Sequence, residues 1–204
     1  MATSTRDMPL NGGHPALDFV NTVDSRRGRW GPDLLRCCDD LIVLAARVGL
    51  IDEKQAVILD QLAKRRPQQA GTLVEEAISL REAIYDLFVV EDTNQPYPDK
   101  PFAVIHERAR RARARQRLFE TKEGFQWLQP ISELTDLVDL FAWQASELLI
   151  RRHERRPVRE CKGDNCGWLF LDTSKGGRRL WCSNATCGTH ARVKRFRRKA
   201  DPQN

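Results

Sequence analysis

The stretch RECKGDNCGWLFLDTSKGGRRLWCSNATCGTHARVKRFRRKA, residues 159–200, decides how the chain is read. It holds four of the six cysteines as two pairs of equal inner spacing, Cys161-x4-Cys166 and Cys182-x4-Cys187, with fifteen residues between them. Such pairs give a tetrahedral thiolate site what it needs: two sulfurs from each tight turn, and a spacer that brings the turns together. The spacer reads as a β-hairpin. Residues 168–171 are strand-like, Ser174, Lys175, Gly176 and Gly177 carry turn chemistry, and Arg179, Leu180 and Trp181 form the return strand. Ser183 and Asn184 then cap a helix that carries Cys187 in its first turn, where the helix dipole favours a thiolate. The layout is that of a treble-clef-like zinc finger with one structural Zn2+ on Cys161, Cys166, Cys182 and Cys187. Four protein sulfurs close the coordination sphere and leave no position for a reactive water.

The helix that follows is strongly cationic. Val193, Phe196 and Ala200 fall on one stripe that would pack on the hairpin. Arg192, Lys194, Arg195, Arg197, Arg198 and Lys199 cover the rest, a surface suited to a phosphate backbone, with Arg178 and Arg179 adding to it from the hairpin. A basic face also simply keeps a helix solvated, but its coupling to a small zinc module favours nucleic acid, DNA ahead of RNA. One short basic helix is a weak reader, which favours a homodimer.

Composition bounds the rest. At 204 residues the chain accommodates one ordinary domain and a small module. No apolar run is long enough to span a bilayer, and the N-terminus lacks a signal-peptide core, so a cytoplasmic protein is expected. In a reducing compartment cysteines are seldom disulfides, which again favours metal. The net charge of +6 is unevenly divided: residues 151–204 carry fifteen Lys and Arg against five Asp and Glu, and residues 1–150 nineteen against twenty-three. A mildly acidic body joined to a basic module implies an anionic partner for the latter.

The expected fold is α+β and mostly helical. The first eight residues read as disordered, and 17–21 as a strand or an extended lead-in because Leu17, Phe19 and Asn21 alternate with Asp18, Val20 and Thr22. Residues 25–31 form a loop, and helices follow over 32–48, from Asp52 to before Pro67, and from Thr72, where a capping-box spacing occurs, to about 90. Residues 91–98 are a loop, a helix begins near Asp99, and 117–128 form a hairpin turning at 122–124. A last long helix spans 132–152. Trp127 and Trp143 read as core, Cys37 and Cys38 as core or boundary residues, and the arginine-rich run 108–117 as a solvated helix end. His14, Asp18, Asn21 and Asp24 form a candidate ligand pocket, although their polar groups could equally serve local backbone. No phosphate-binding glycine loop, G-x-S-x-G or H-E-x-x-H is present, so no enzyme is expected.

On these residues the chain resembles the CGNR zinc-finger family, two-domain bacterial proteins with an N-terminal ABATE domain. GGHPALDFVNTVDSRRGR resembles the opening of ABATE, and CGWLFLDTSKGGRRLWCSNATCG the core of the finger. The resemblance implies stress-induced transcription regulators, with an ABATE-like domain over 9–152 that senses a small-molecule ligand and a DNA-binding finger over 157–200. One departure stands out: the Cys-Gly-Asn-Arg that names the family is here Cys187-Gly188-Thr189-His190, and His190 can keep a phosphate contact as a neutral donor. The rival readings are an RNA- or ribosome-associated finger, and a ligand-binding or enzymatic N-terminal domain with an accessory finger.

Overall fold

The computed structural model describes residues 3–28, 31–122 and 124–200. Periodic apolar side chains build its frame. In α4 (Pro67–Thr93), Leu73, Ala77, Leu80, Ile84, Leu87 and Phe88 recur three or four residues apart and are buried, the spacing that sets side chains on one helix face. Val138, Phe141, Ala145 and Leu148 do the same on α6 (Thr135–Ile150). α5 (Asp99–Arg115) runs antiparallel to α6, tied at one end by an Arg115–Asp136 ion pair. α2 (Cys38–Arg47) and α3 (Glu53–Arg65) pack on α4. At the centre sits the short α1 (Pro15–Val20), with Phe19 stacked on Phe141 at 4.3 Å.

Two antiparallel hairpins complete the fold. β1 (Arg117–Thr121) pairs with β2 (Gly124–Leu128) between α5 and α6. β3 (Val158–Glu160) pairs with β4 (Leu169–Leu171), and both lie against α4. Val158 and Leu169 belong to the same apolar core as the helices. The last described elements are a π-helical turn, Asn184–Gly188, and α7 (Thr189–Ala200), into which it runs.

The mostly helical α+β architecture is the expected one, but several local expectations are corrected. Residues 15–20 are helical, because His14 caps the N–H of Ala16 and Pro15 starts the turn. Residues 3–8 form an ordered turn in which Asp7 accepts from Ser4 N–H at 2.8 Å and Met8 is fully buried. Residues 1–2 of the segment read as disordered lie outside the described residues. α2 starts at Cys38, with Cys37 at the cap, and α4 starts at Pro67 and takes residues 91–93 of the expected loop, leaving 94–98 as the connection to α5. The return strand 179–181 does not form: β4 pairs backward with β3. Trp127 is 63% exposed on β2, and Trp143 is half-buried. Residues 29–30 of the expected loop and residue 123 of the expected turn lie outside the described residues.

Candidate metal centre and nucleic-acid interface

The turn of the β3–β4 hairpin is the first cysteine knuckle. Cys161 donates its N–H to Trp168 O at 2.7 Å, and Cys166 donates to Gly163 O at 3.2 Å, so both sulfurs project from one tight bend. Two glycines permit it. A Cβ on Gly163 would stand 3.1 Å from Cys187 Sγ, and Gly167 leaves the knuckle at φ +71°, a left-handed conformation that favours glycine. The second knuckle precedes α7, where Ser183 accepts from Thr186 N–H and holds Cys187 in the π-turn.

Together the knuckles bring Cys161, Cys166, Cys182 and Cys187 into one cluster with sulfurs within 4.8 Å of one another. Cys182 lies 3.6 Å from Cys166 and 3.8 Å from Cys187. Four sulfurs about 2.3 Å from one tetrahedral Zn2+ stand about 3.8 Å apart, so the donor set and spacing fit one structural zinc. Cys182 N–H also donates to Cys161 Sγ at 3.3 Å, stabilising a thiolate there. The thiols compete for charge: the hydrogen bond from Cys166 pushes the Cys161 pKa far down, and Cys161 in turn pushes Cys182 up. A bound dication favours ionisation of the whole set.

The cations expected on nucleic acid divide into two groups. Arg179 is committed to the knuckle: its Nε donates to Trp181 O at 2.7 Å, it reaches Cys182 O, and it lies 4.4 Å over the Phe170 ring. Arg192 braces the π-turn through Asn184 O and Thr189 Oγ1, at 3.3 and 2.9 Å. Lys194 pairs at 2.6 Å with Asp164 in the first knuckle. By contrast Arg178, His190, Arg195, Arg197, Arg198 and Lys199 are exposed, with no carboxylate partner among the described residues. The apolar stripe does not pack on the hairpin: Val193 is 43% and Phe196 74% exposed, because α7 touches little beyond the π-turn that leads into it. Nothing is described of the Ala200 side chain.

The four-residue N-terminal pocket also divides. His14 and Asp18 line a shallow depression of about 280 Å³ with Arg47. Burial pushes the Asp18 carboxyl up to about 6 and His14 down to about 4, yet Asp18 accepts from Gly12 N–H at 2.8 Å and His14 from Ala16 N–H at 3.2 Å. Asn21 faces away: its Nδ2 donates to Leu169 O and its Oδ1 accepts from Leu169 N–H, both at 2.9 Å. Asp24 N–H donates to Pro32 O, and the residue does not line the depression. The candidate pocket is thus corrected to two residues that mainly serve local backbone.

Sequence reasoning missed what these polar residues hold together. Arg26 and Arg27 donate their N–H groups to Cys166 O and Asn165 O, at 2.8 and 3.1 Å, directly on the first knuckle. Trp168 Nε1 donates to Val23 O at 2.7 Å, and Leu171 N–H to Gly12 O at 2.9 Å. Arg27 grips Glu160 of β3, which also accepts from Tyr85 Oη at 3.1 Å. The density of Asn, Asp and Arg in 21–28 is the one signal that could have revealed this seam.

Two family models match the chain. One, ABATE, described as "Putative stress-induced transcription regulator", covers residues 13–151, and the other, CGNR zinc finger, covers residues 157–200. A search of curated proteins finds no match.

Proposed function

Since the chain belongs to the ABATE family and ends in a CGNR zinc finger, we propose that it is a zinc-dependent DNA-binding transcription regulator and not an enzyme. The observation that carries this reading is the set of exposed cations on α7, held out from the body directly behind the second zinc knuckle. Phosphate contacts come from His190, Arg195, Arg197, Arg198 and Lys199, with Arg178 beside them; Arg192, Lys194 and Arg179 hold the module in shape. Phe196 stands among these cations and can cover apolar sugar or base surface when α7 enters a groove. Among the described residues no helix is long and apolar enough to cross a membrane, and a cytoplasmic regulator is the companion proposal.

Selection of bound sequences from a random duplex pool, with zinc-loaded protein and RNA as competitor, tests it. Enrichment of a defined motif is expected. Binding erased by RNA would put an RNA partner in first place. In the same assay Arg195→Ala with Arg198→Ala should weaken binding and reduce the slope of log K against log salt by about 0.9 per lost phosphate contact. An unchanged slope would remove α7 from the interface.

A further inference from the structure

Among the uncovered apolar surfaces of the described residues, two each have what the other lacks. The first is the β1–β2 arm. All its described strand residues are exposed except the half-buried Thr121. Leu118 is paired with Trp127 and Glu120 with Phe125, so these four side chains share one face. Phe125 is 72% exposed, and Trp127 nearly as much. A hairpin with no third strand or helix against it is at best marginally stable in water, and aromatic side chains are typical of interface cores.

The second surface is an open groove of about 290 Å³ between α5 and α6, floored by Phe102, Ile105, Ala109, Trp143, Leu149 and Ile150. Arg113 lines it, its guanidinium 5.3 Å over the Trp143 ring. Arg113 has no carboxylate partner among the described residues, and Glu120 has no cationic one. The arm therefore offers aromatic rings around an unpaired carboxylate, and the groove offers an apolar floor beside an unpaired guanidinium. The arm leaves the helix pair at the Arg115 and Asp136 end, joined to α5 through Gln116 and to α6 through residues 129–134. The groove extends to Phe102, roughly 20 Å further along α5 at 1.5 Å per residue.

We propose that the protein is a homodimer in which each copy seats the Leu118, Glu120, Phe125 and Trp127 face of its arm in the α5–α6 groove of the other, with Glu120 meeting Arg113. A two-fold axis makes the contact twice, which doubles the apolar area covered and closes the assembly. This reading stands apart from DNA binding, since none of its residues belongs to the zinc finger.

Sedimentation equilibrium of the zinc-loaded full chain, from about 1 to 100 µM, tests it. The wild type should have twice the mass of one chain. Glu120→Arg and Arg113→Glu should each weaken the dimer by about tenfold or more, and their combination should regain most of the loss, because the pair is rebuilt with its charges exchanged. Phe125→Ser with Trp127→Ser should give a monomer with an unchanged far-ultraviolet circular dichroism spectrum, both side chains being exposed in the single chain. A wild type that stays monomeric throughout overturns the proposal and leaves the groove to a small apolar ligand. A dimer indifferent to all four substitutions also overturns it, and a double charge reversal that fails to rescue overturns the pairing of Glu120 with Arg113.

Discussion

Asn21 shows how much one buried amide can hold. It closes a two-bond ring with the backbone of Leu169, and that backbone is the strand leading out of the zinc knuckle. Asn21→Ala would leave a buried N–H and a buried carbonyl unsatisfied, at a cost of about 2–4 kcal/mol. Urea denaturation of the zinc-loaded variant should show it as a lower midpoint; a loss of less than about 0.5 kcal/mol would mean that water replaces the amide. Asp18, three residues earlier, makes a pH-dependent case. Burial raises its pKa to about 6 in the fold, against an ordinary value of about 3.9. Between pH 4 and 6 the folded chain keeps a proton that the unfolded chain releases, so this group's contribution to stability falls as pH rises through that window. Asp18→Asn keeps an acceptor for Gly12 and removes the titration. The variant should exceed the wild type by about 1–3 kcal/mol above pH 7, with the gap closing towards pH 4. His14 shifts the other way, its pKa lowered to about 4 by burial, but it is common to both proteins and largely cancels in the comparison. Denaturation curves at pH 7.5 and 5 that show the same gap would refute the assignment.

Among the helices, α7 is the least supported by packing. With Val193 and Phe196 in solvent, replacing both by Gln should change stability by no more than about 0.5 kcal/mol, readable as an unshifted thermal melt. A clear loss would mean that the stripe packs on the finger after all. The helices themselves were largely legible, because α4, α5 and α6 bury residues at helical spacing and the apolar pattern reports that burial directly. α1 was not. It is six residues long and buried from Ala16 to Val20, so polarity alternates by accident of composition rather than by facing water. β4 is legible as a strand but its partner is not, since the three residues of β3 carry too little pattern to announce themselves, and Lys175, Gly176 and Gly177 resemble a hairpin turn. The arm is legible as a hairpin, while the exposure of Trp127 is not: an apolar side chain in sequence says that something covers it, not whether the same chain does. The four metal ligands were fully legible, because their chemistry depends on spacing that the sequence prints.

In the whole molecule, the family division at residues 151 and 157 does not correspond to a gap in the core. Val158 and Leu169 pack in the same apolar cluster as α1, α4 and α6. The segment between the two matches is pinned by Arg155, which pairs with Glu91 at 2.5 Å and lies over Phe88. Asp92, at the end of α4, pairs with both Arg159 and Lys162 around the first knuckle. A finger joined by a solvated linker would unfold alone when its metal is withdrawn. This one shares apolar contacts and buried hydrogen bonds with the helices, and metal binding in small modules is itself folding free energy. Chelation, or Cys182→Ser, should therefore lower the melting temperature of the helical body as well as release the finger, with one transition in circular dichroism at 222 nm. Amide exchange should quicken at residues 15–27 and along α4, where the seam lies. Loss of zinc with a body that melts at the wild-type temperature would show the two parts to be energetically separate. A single coupled transition would mean that whatever binds or strains the helical body also acts on the geometry of the knuckle behind α7.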